Sequence, residues 1–317
     1  MTNLHTQDKR QYPIAVLCRL FGVTKQAYFK DVEKSRLTNL SQEAFAVEFI
    51  HSIRKVDPGI GGMKLWYMYS KEFDGNAPLG RDRFETVVDK YGLKVRQKIR
   101  KPRTTDSRHG LPLYPNLIKT FIPTSPNQLW VSDITYIPIW IDDDDCQFCY
   151  LSLIMDAYSE EIMGHQVGAT LEAFYCIMSL RKALKKCDER GADLIGLIHH
   201  SDRGIQYASS KYAGILKERK IVISMTENGN PKDNPQAERV NSTFKNELFY
   251  DRRFRSLAEV RASVDVAVEF YNRSRPHMSI DMMTPQEASL CQGWLKKRWY
   301  SYRESAINKF SNMKDNP

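Results

Sequence analysis

Residues 130–140 read WVSDITYIPIW, a run of β-branched and aromatic side chains that predicts a β-strand. Two more strands are expected directly after it, and helices then alternate with strands. This order is typical of a mixed α/β domain, here with a five-stranded sheet flanked by helices. The other expected strands are 148–158, 161–167, 194–199 and 221–225, and the expected helices are 171–187, 209–218, 235–249 and 257–271.

Residues 12–30 predict two short helices separated by a turn. Gly22 interrupts the apolar pattern of the first helix, and the Thr24 hydroxyl suits the N-cap of the second. This layout is that of a helix-turn-helix, whose second helix can enter the major groove of DNA; an ordinary αα-hairpin is the alternative. The expected DNA-contacting residues open the second helix: Lys25, Gln26 and Tyr28. Three apolar residues are expected to pack the two helices together: Leu17, Phe21 and Val23. Further helices are expected at 40–56, 63–73 and 82–91.

The positive charge of the chain is concentrated toward its N-terminus. The net charge is +9, and the first 120 residues hold 22 Lys and Arg against 12 Asp and Glu, whereas the remainder holds 25 against 26. Such asymmetry indicates a polyanionic partner, most often nucleic acid. The segment 94–103, KVRQKIRKPR, carries six basic residues and no acid; a charged linker is the alternative. If this segment is extended, four alternating cations face one phosphate backbone: Lys94, Arg96, Lys98 and Arg100.

Composition divides the chain into regions. Residues 104–122 are rich in Thr, Ser, Pro, Gly and Asn, which predicts a linker. The expected regions are an all-α DNA-binding region at 1–103, this linker, a mixed α/β catalytic domain at 123–290 and a basic, aromatic tail at 291–317. Within the first region we expect the helix-turn-helix at 12–30, a second helical unit at 40–93 and the basic segment at 94–103.

Several protein classes are disfavoured by the sequence. No apolar run approaches the roughly 18 residues that a membrane span needs, and the N-terminus lacks the apolar stretch of a signal peptide. A cytoplasmic protein without a membrane partner is therefore expected. The six cysteines do not have the pattern of a disulfide framework. Cys146 and Cys149 have the spacing of half a zinc site, but no second pair follows at a suitable distance, so two strand cysteines are expected.

Three carboxylates are expected to converge at one rim of the α/β domain. Asp133 lies within the first strand, Asp202 follows the strand 194–199, and Glu238 stands in the first turns of the helix that starts near Pro235. Carboxylates brought together repel unless a cation balances them. Mg²⁺ favours such oxygen ligands, and two ions roughly 3.5–4 Å apart can stabilise both oxygens of an in-line displacement at phosphorus. The sequence predicts a catalytic site for two Mg²⁺ or Mn²⁺ ions.

A basic residue follows the glutamate at helical spacing. Thirty-five residues separate Asp202 from Glu238, and Lys245 follows Glu238 by seven, two helical turns further on the same face. Asn241 lies between them on that face. We expect Lys245 and Asn241 to contact a DNA phosphate next to the metal ions.

The triad, its spacing and several longer stretches resemble a known family. These stretches are LWVSDITYIP (129–138), HHSDRGIQYAS (199–209), SMTENGNPKDNPQAERVNSTFKNEL (224–248) and YNRSRPH (271–277). The chain resembles the insertion-sequence transposases of the two-frame, copy-out and paste-in type, whose catalytic core is similar to that of retroviral integrases and carries a DDE signature. The resemblance covers about residues 12–287.

The resemblance implies a ribonuclease-H-like fold and metal-dependent phosphoryl transfer to DNA. It implies that the chain cleaves at transposon ends to leave a 3′-hydroxyl, which then attacks the other end or target DNA. It also implies a homo-oligomer on DNA, a bacterial protein associated with the nucleoid, and a frame-one protein as a partner, because no heptad-rich zipper is found here. Two local departures from the family pattern, Pro235 and the acidic turn 142–145, do not involve the triad.

Two other functions compete with the transposase. One is a catalytically retired DNA-binding regulator, against which the intact triad argues. The other is a ribonuclease-H-type nuclease acting on RNA–DNA hybrids, which shares the metal chemistry but would not need the basic helical N-terminal region. Strand-joining activity separates the nuclease from the transposase.

Overall fold

The computed structural model describes residues 13–95, 110–142, 145–227, 233–301 and 304–307. Contacts divide the chain into two units: Met1–Ser52 with Tyr69–Lys94, and Ile53–Met68 with Val95–Pro317, as far as these ranges are described. The segment 53–68, which composition grouped with the N-terminal region, is therefore part of the second unit. No described helix has the length and apolarity that crossing a membrane requires.

Helices precede the sheet along the chain: α1 (Ile14–Leu20), α2 (Lys25–Arg54), α3 (Gly62–Glu72) and α4 (Arg81–Lys90). The Thr24 hydroxyl accepts a hydrogen bond from the amide of Ala27 at 3.1 Å, so it caps α2 as predicted. Tyr69, fully buried, is the centre of an aromatic cluster in the first unit. Its ring lies 5.1–6.2 Å from four others: Phe45, Phe49, Phe73 and Phe84.

Two expectations for these helices were wrong. α2 is one helix of 30 residues, where a recognition helix and a separate helix at 40–56 were expected. No Gly or Pro stands between residues 25 and 54 to interrupt it. The predicted helix-packing residues also differ: Leu17 is buried, but Phe21 is 53% and Val23 39% exposed, because the turn at Gly22 directs both toward solvent.

A mixed five-stranded sheet forms the centre of the second unit. Its strands are β1 (Leu129–Trp140), β2 (Cys146–Asp156), β3 (Ile162–Gly168), β4 (Ile198–Ser201) and β5 (Val222–Met225). They lie in the order β3-β2-β1-β4-β5. β1, β2 and β3 pair antiparallel, whereas β4 pairs parallel with both β1 and β5. This confirms the predicted mixed sheet and the ribonuclease-H-like fold class.

Helices cover both faces of the sheet. In chain order they are α5 (Ala173–Glu189), α6 (Ile205–Ala208), α7 (Ser210–Glu218), α8 (Pro235–Thr243) with a π-helical turn at Phe244–Leu248, α9 (Leu257–Arg273) and α10 (Pro285–Ala288), and a 3-10 turn spans Met278–Ile280. One buried apolar cluster joins β1 through Val131 to α8 and α9 through Val240 and Val264. The opposite cluster joins Trp130 of β1 to α5 and α7. Burial of these apolar side chains drives the layering.

The fourth strand starts later than expected. The apolar run 194–199 predicted a strand, but β4 begins at Ile198. Gly196 has a φ of +80°, a left-handed conformation, so the chain turns at residues 195–196 before the strand begins. Leu194 and Leu197 are nonetheless buried, which accounts for the apolar character of the run.

Candidate active site

Asp133 and Asp202 lie at the same edge of the sheet because β1 and β4 are parallel neighbours. Val131 pairs with His200 in that register. Asp133 and Asp202 each lie two residues beyond this pair, so they are neighbours; Asp202 directly follows the end of β4. Adjacent strands are roughly 4.7–4.9 Å apart, so the two carboxylates are close neighbours.

Helix α8 brings Glu238 to this edge. The side-chain amide of its N-cap residue, Asn234, donates to the carbonyl of Ser132 at 3.1 Å. The Asn241 amide donates to Asp133 Oδ2 at 2.7 Å. Residues three apart share a helix face, so Glu238 and Asn241 face the same strand. Two hydrogen bonds between α8 and adjacent residues of β1 thus fix the helix that carries the glutamate.

The Asp202 carboxylate is held by the backbone that follows it. Its Oδ1 accepts from the Gly204 amide at 2.9 Å. A Cβ atom at Gly204 would lie 2.9 Å from that oxygen and 3.0 Å from Oε1 of Gln206. A side chain at this position would therefore force the Asp202 carboxylate or the Gln206 amide to shift.

Burial raises the pKa of two of these acids, Asp133 and Glu238. Burial, and then the negative charges of Asp202 and Glu238, raise the pKa of Asp133 to about 7, although the Asn241 amide opposes this. Burial also raises the pKa of Glu238, whose side chain is exposed overall. An accumulation of negative charge at a half-buried strand end is an environment in which a cation is favoured.

Oxygen acceptors at the site fit a hydrated divalent cation. Asn234 and Asn241 are buried, and the amide oxygen of each has no hydrogen-bond partner among the described residues. Uncharged and carboxylate oxygens are the ligands that Mg²⁺ and its bound water prefer. Within the described ranges, no three His, Cys, Asp or Glu side chains form a closed ligand group in this conformation.

Several other polar side chains of the catalytic domain have structural contacts. His199 is buried and hydrogen-bonds through Nε2 to the Tyr212 hydroxyl at 2.9 Å. His200 is also buried and hydrogen-bonds through Nδ1 to the Ser224 hydroxyl at 2.8 Å. Asp156 closes the turn after β2, where it accepts from the amides of Asn127 and Ser159 at 2.7 and 2.8 Å. Cys146 and Cys149 are free and lie in β2.

The residues expected to contact DNA have diverse surroundings. Lys25 and Gln26 are exposed in the first turn of α2, and Tyr28 is half-buried. Lys94 forms an ion pair with Asp89 at 2.8 Å. Asn241 is buried against Asp133. Lys245 is half-buried in the π-helical turn. Arg96, Lys98 and Arg100 lie outside the described residues.

The motif YNRSRPH has a packing role. Tyr271, Arg275 and His277 are all buried. Asn272 hydrogen-bonds to both the amide and the carbonyl of Ile162, at 2.8 and 3.0 Å, and so joins α9 to β3. Sequence reasoning used this motif only for the family resemblance. It missed Asn234, Gly204 and the partners of Arg275, although the glycine-rich loop 58–62 was a signal for the last of these.

Comparisons with known proteins agree with this architecture. Two integrase core domain models match, one over residues 123–231 and one over 219–285. The insertion element IS600 31 kDa protein of Shigella sonnei is 31% identical over 275 residues, which are 85% of this chain and 96% of that protein. The putative transposase of IS986/IS6110 from Mycobacterium tuberculosis is 26% identical over 286 residues, 89% of this chain and 98% of that one. A chain in the simian T-cell lymphotropic virus intasome structure is 15% identical, with a TM-score of 0.42 and coverage of 77% and 75%.

These matches confirm the family that the motifs predicted, and they extend over nearly the full length of the relatives. The paired strands, the α8 helix and the carboxylates they carry lie within the matched integrase core. The chain belongs to the family of insertion-sequence transposases with an integrase catalytic core, DNA transposases that are DDE-type polynucleotidyl transferases and depend on a divalent metal.

Proposed function

We propose that Asp133, Asp202 and Glu238 are the ligands of two Mg²⁺ or Mn²⁺ ions in this transposase. The observation that carries the proposal is the convergence of these acids at the ends of β1 and β4 and the start of α8, where the charges of Asp202 and Glu238 add to the effect of burial and raise the pKa of Asp133. Bound ions would neutralise the charge that accumulates on phosphorus and its oxygens during an in-line displacement.

The protein itself orients the acids. The Gly204 amide donates to Oδ1 of Asp202 and so orients this carboxylate. The Asn241 amide holds Oδ2 of Asp133 in the same way. We therefore assign Asn241 to orienting Asp133, instead of to the DNA contact that the sequence suggested. Lys245 remains our candidate for a phosphate contact near the triad, because it follows Glu238 along one helical segment.

The substrates we propose are transposon-end DNA and target DNA. Water attacks phosphorus at the element end, and the 3′-oxygen of the element strand leaves and takes up a proton. That 3′-hydroxyl then attacks a phosphodiester of the other end or of the target, and the displaced strand carries away the leaving oxygen. Joining two ends calls for more than one active site, so we propose a homo-oligomer on DNA and a frame-one protein as a further partner.

We also propose that the regions of the chain have different roles. Region 1–103 recognises the element end through Lys25, Gln26 and Tyr28 and through the basic segment, beginning with Lys94. Residues 104–122 link this region to the catalytic core at 123–290, and the aromatic tail at 291–317 adds contacts. The protein would act on nucleoid DNA in the bacterial cytoplasm. The exposure of Lys25 and Gln26 supports the first of these assignments.

Metal-dependent stability tests the ligand assignment without requiring DNA. We expect Mg²⁺ or Mn²⁺ to raise the Tm of the wild-type chain, because an ion that binds only the folded state stabilises it by mass action. Asp133→Asn, Asp202→Asn and Glu238→Gln should each abolish most of that rise. Asp265→Asn, whose carboxylate contacts His165 at 2.8 Å, is a matched control that should respond as the wild type does. An unchanged response in all three triad variants would contradict the assignment.

A further inference from the structure

A loop that precedes the sheet along the chain is hydrogen-bonded to the end of the helical segment that carries Glu238, and to the residues just after it. We call residues 55–64 the clasp. The amide of Gly59 donates to the carbonyl of Glu247 at 2.7 Å. The Arg252 guanidinium donates to the carbonyl of Lys55 at 2.7 Å. A Cβ atom at Gly59 would lie 2.3 Å from Cα of Glu247, so only glycine permits this approach.

The Glu247 side chain links the clasp to the segment after α9. Its Oε1 accepts from Lys64 Nζ at 3.0 Å and from Arg275 Nε at 2.8 Å. Its Oε2 accepts from the same two side chains at 3.1 and 3.0 Å. Arg275 is 5% exposed and Glu247 16%, so water competes little with these ion pairs. Burial alone would raise the pKa of Glu247, but Arg275 and Lys64 outweigh it and lower that pKa to about 2.

Glu247 belongs to the π-helical turn Phe244–Leu248. The amide of Phe249 donates to the carbonyl of Phe244 at 2.8 Å, which is the five-residue spacing of a π-helix. Such turns are rare and less favourable than α-helix, so they persist where other contacts hold them. They also shift the direction in which side chains leave the helix. The contacts of the clasp with Glu247 supply the external support that this turn needs.

Lys245 stands in the same turn, two residues before Glu247. Side chains two positions apart on a helix point toward nearly opposite sides. Anchoring Glu247 on one side therefore fixes the rotation of the turn about its axis, and with it the direction of Lys245 on the other side. We propose that Glu247, held by Lys64, Arg275 and Gly59, is a positioning residue that aims Lys245 at a DNA phosphate. This inference rests on the proposed role of Lys245.

Salt-dependent DNA binding tests the inference in the full-length chain. The probe is a labelled duplex carrying the element's terminal inverted repeat, and the variants are Lys245→Met, Glu247→Gln and the double substitution. Loss of one phosphate contact should weaken binding roughly tenfold. It should also reduce the slope of log affinity against log salt by about 0.9. We expect all three variants to show the same losses, since Glu247 acts through Lys245.

A matched control separates positioning from loss of stability. Glu161 is 3% exposed and is paired with Arg190 at 2.7 Å and Lys186 at 2.9 Å. Glu161→Gln should lower the Tm and leave the salt slope unchanged. If Glu247→Gln fails to fold, Lys64→Gln replaces it in the experiment, because this substitution keeps the Arg275–Glu247 pair. We then expect part of the reduction in the salt slope.

Each remaining outcome has a definite meaning. A normal salt slope and affinity in the folded Glu247→Gln or Lys64→Gln variant, with a reduced slope in Lys245→Met, overturns the inference and leaves the proposed function intact. A normal slope in Lys245→Met overturns the phosphate contact itself and therefore this inference. Fully additive losses in the double variant would show that Glu247 acts independently of Lys245, which also overturns it.

Discussion

At the residue scale, the triad residues and their neighbours differ in how far sequence predicts them. The placement of Asp133, Asp202 and Glu238 at one edge of the sheet could be predicted, because each stands in a recognisable motif within a strand, just past a strand end or at a helix start. Asn234 and Asn241 could not be placed there, because an amide at a helix start is also typical of an N-cap or a solvated face. Their hydrogen bonds to Ser132 and Asp133 depend on how α8 lies on β1.

The Gly204→Ala substitution should displace the Asp202 carboxylate, because the new Cβ would lie 2.9 Å from its Oδ1. A displacement of a catalytic group by about 1 Å can cost roughly 100-fold in rate. We therefore expect strand cleavage at saturating DNA to slow by about 10- to 100-fold with little change in Tm. Gly214→Ala is the control, since nothing lies within 4 Å of its Cβ. Wild-type cleavage by Gly204→Ala would refute this role for the glycine.

Asn241→Leu distinguishes orientation of Asp133 from contact with DNA. If the amide orients the carboxylate, the variant should need about tenfold more Mg²⁺ for half-maximal cleavage, an effect typical of groups that support a metal ligand. Its affinity for DNA without metal should be unchanged. Titrations of Mg²⁺ and of DNA measure the two quantities separately. Weaker DNA binding with an unchanged Mg²⁺ requirement would restore the DNA contact that the sequence suggested.

At the element scale, periodicity and capping predicted most helices and strands, but tertiary contacts changed several boundaries. β1 and α7 begin within one residue of expectation, because their signals are local. The final turn of the helix after Pro235 was expected to be α-helical and is π-helical. This turn contacts the clasp, in which Lys64 precedes its partner Glu247 by 183 residues. No local pattern carries that information.

The packing of the clasp predicts that the glycine-rich loop 58–62 tolerates a side chain at Gly61 but not at Gly59. Gly59→Ala would place Cβ 2.3 Å from Cα of Glu247, backbone that cannot move freely. Overpacking of this kind costs about 1–3 kcal/mol, so chemical denaturation should show a loss of that size. Gly61→Ala, with nothing within 4 Å of its Cβ, should cost less than about 1 kcal/mol. Equal stabilities of the two variants would show that the clasp does not close against Glu247.

At the scale of the whole molecule, the order of the expected strands and helices predicted the mixed α/β fold class, and the sequence showed the uneven distribution of charge. It did not identify the membership of segment 53–68 in the second unit. Asp57 of this segment is fully buried, with Oδ2 3.8 Å from Arg275 Nε. Burial and the charge of Glu247 raise the pKa of Asp57 to about 8.

This raised pKa predicts that a stabilising contribution of Asp57 is lost as the pH rises from about 4 to about 8. In that window Asp57 is ionised in the unfolded chain and protonated in the folded one, so folding takes up a proton. Each pH unit then costs about 1.4 kcal/mol for this group, and the loss levels off above its folded pKa. Asp133, whose pKa is raised to about 7, adds to this loss, whereas buried histidines such as His199, whose pKa is lowered in the folded chain, oppose it below about pH 7. The comparison with a variant therefore isolates the contribution of Asp57. Asp57→Asn should flatten the dependence of unfolding free energy on pH, and an identical slope in the variant would contradict the account.

Strand transfer by the full-length chain tests the central claim most directly. Labelled duplexes that carry the element's inverted repeats are incubated with Mg²⁺ and either the wild-type protein or Asp202→Asn, whose folding and DNA binding are measured in parallel. The account predicts metal-dependent joined product from the wild type, and none from a variant that still folds and binds DNA. Joining by Asp202→Asn at the wild-type rate, or DNA binding by the wild type without cleavage or joining when a frame-one partner is supplied, would contradict it.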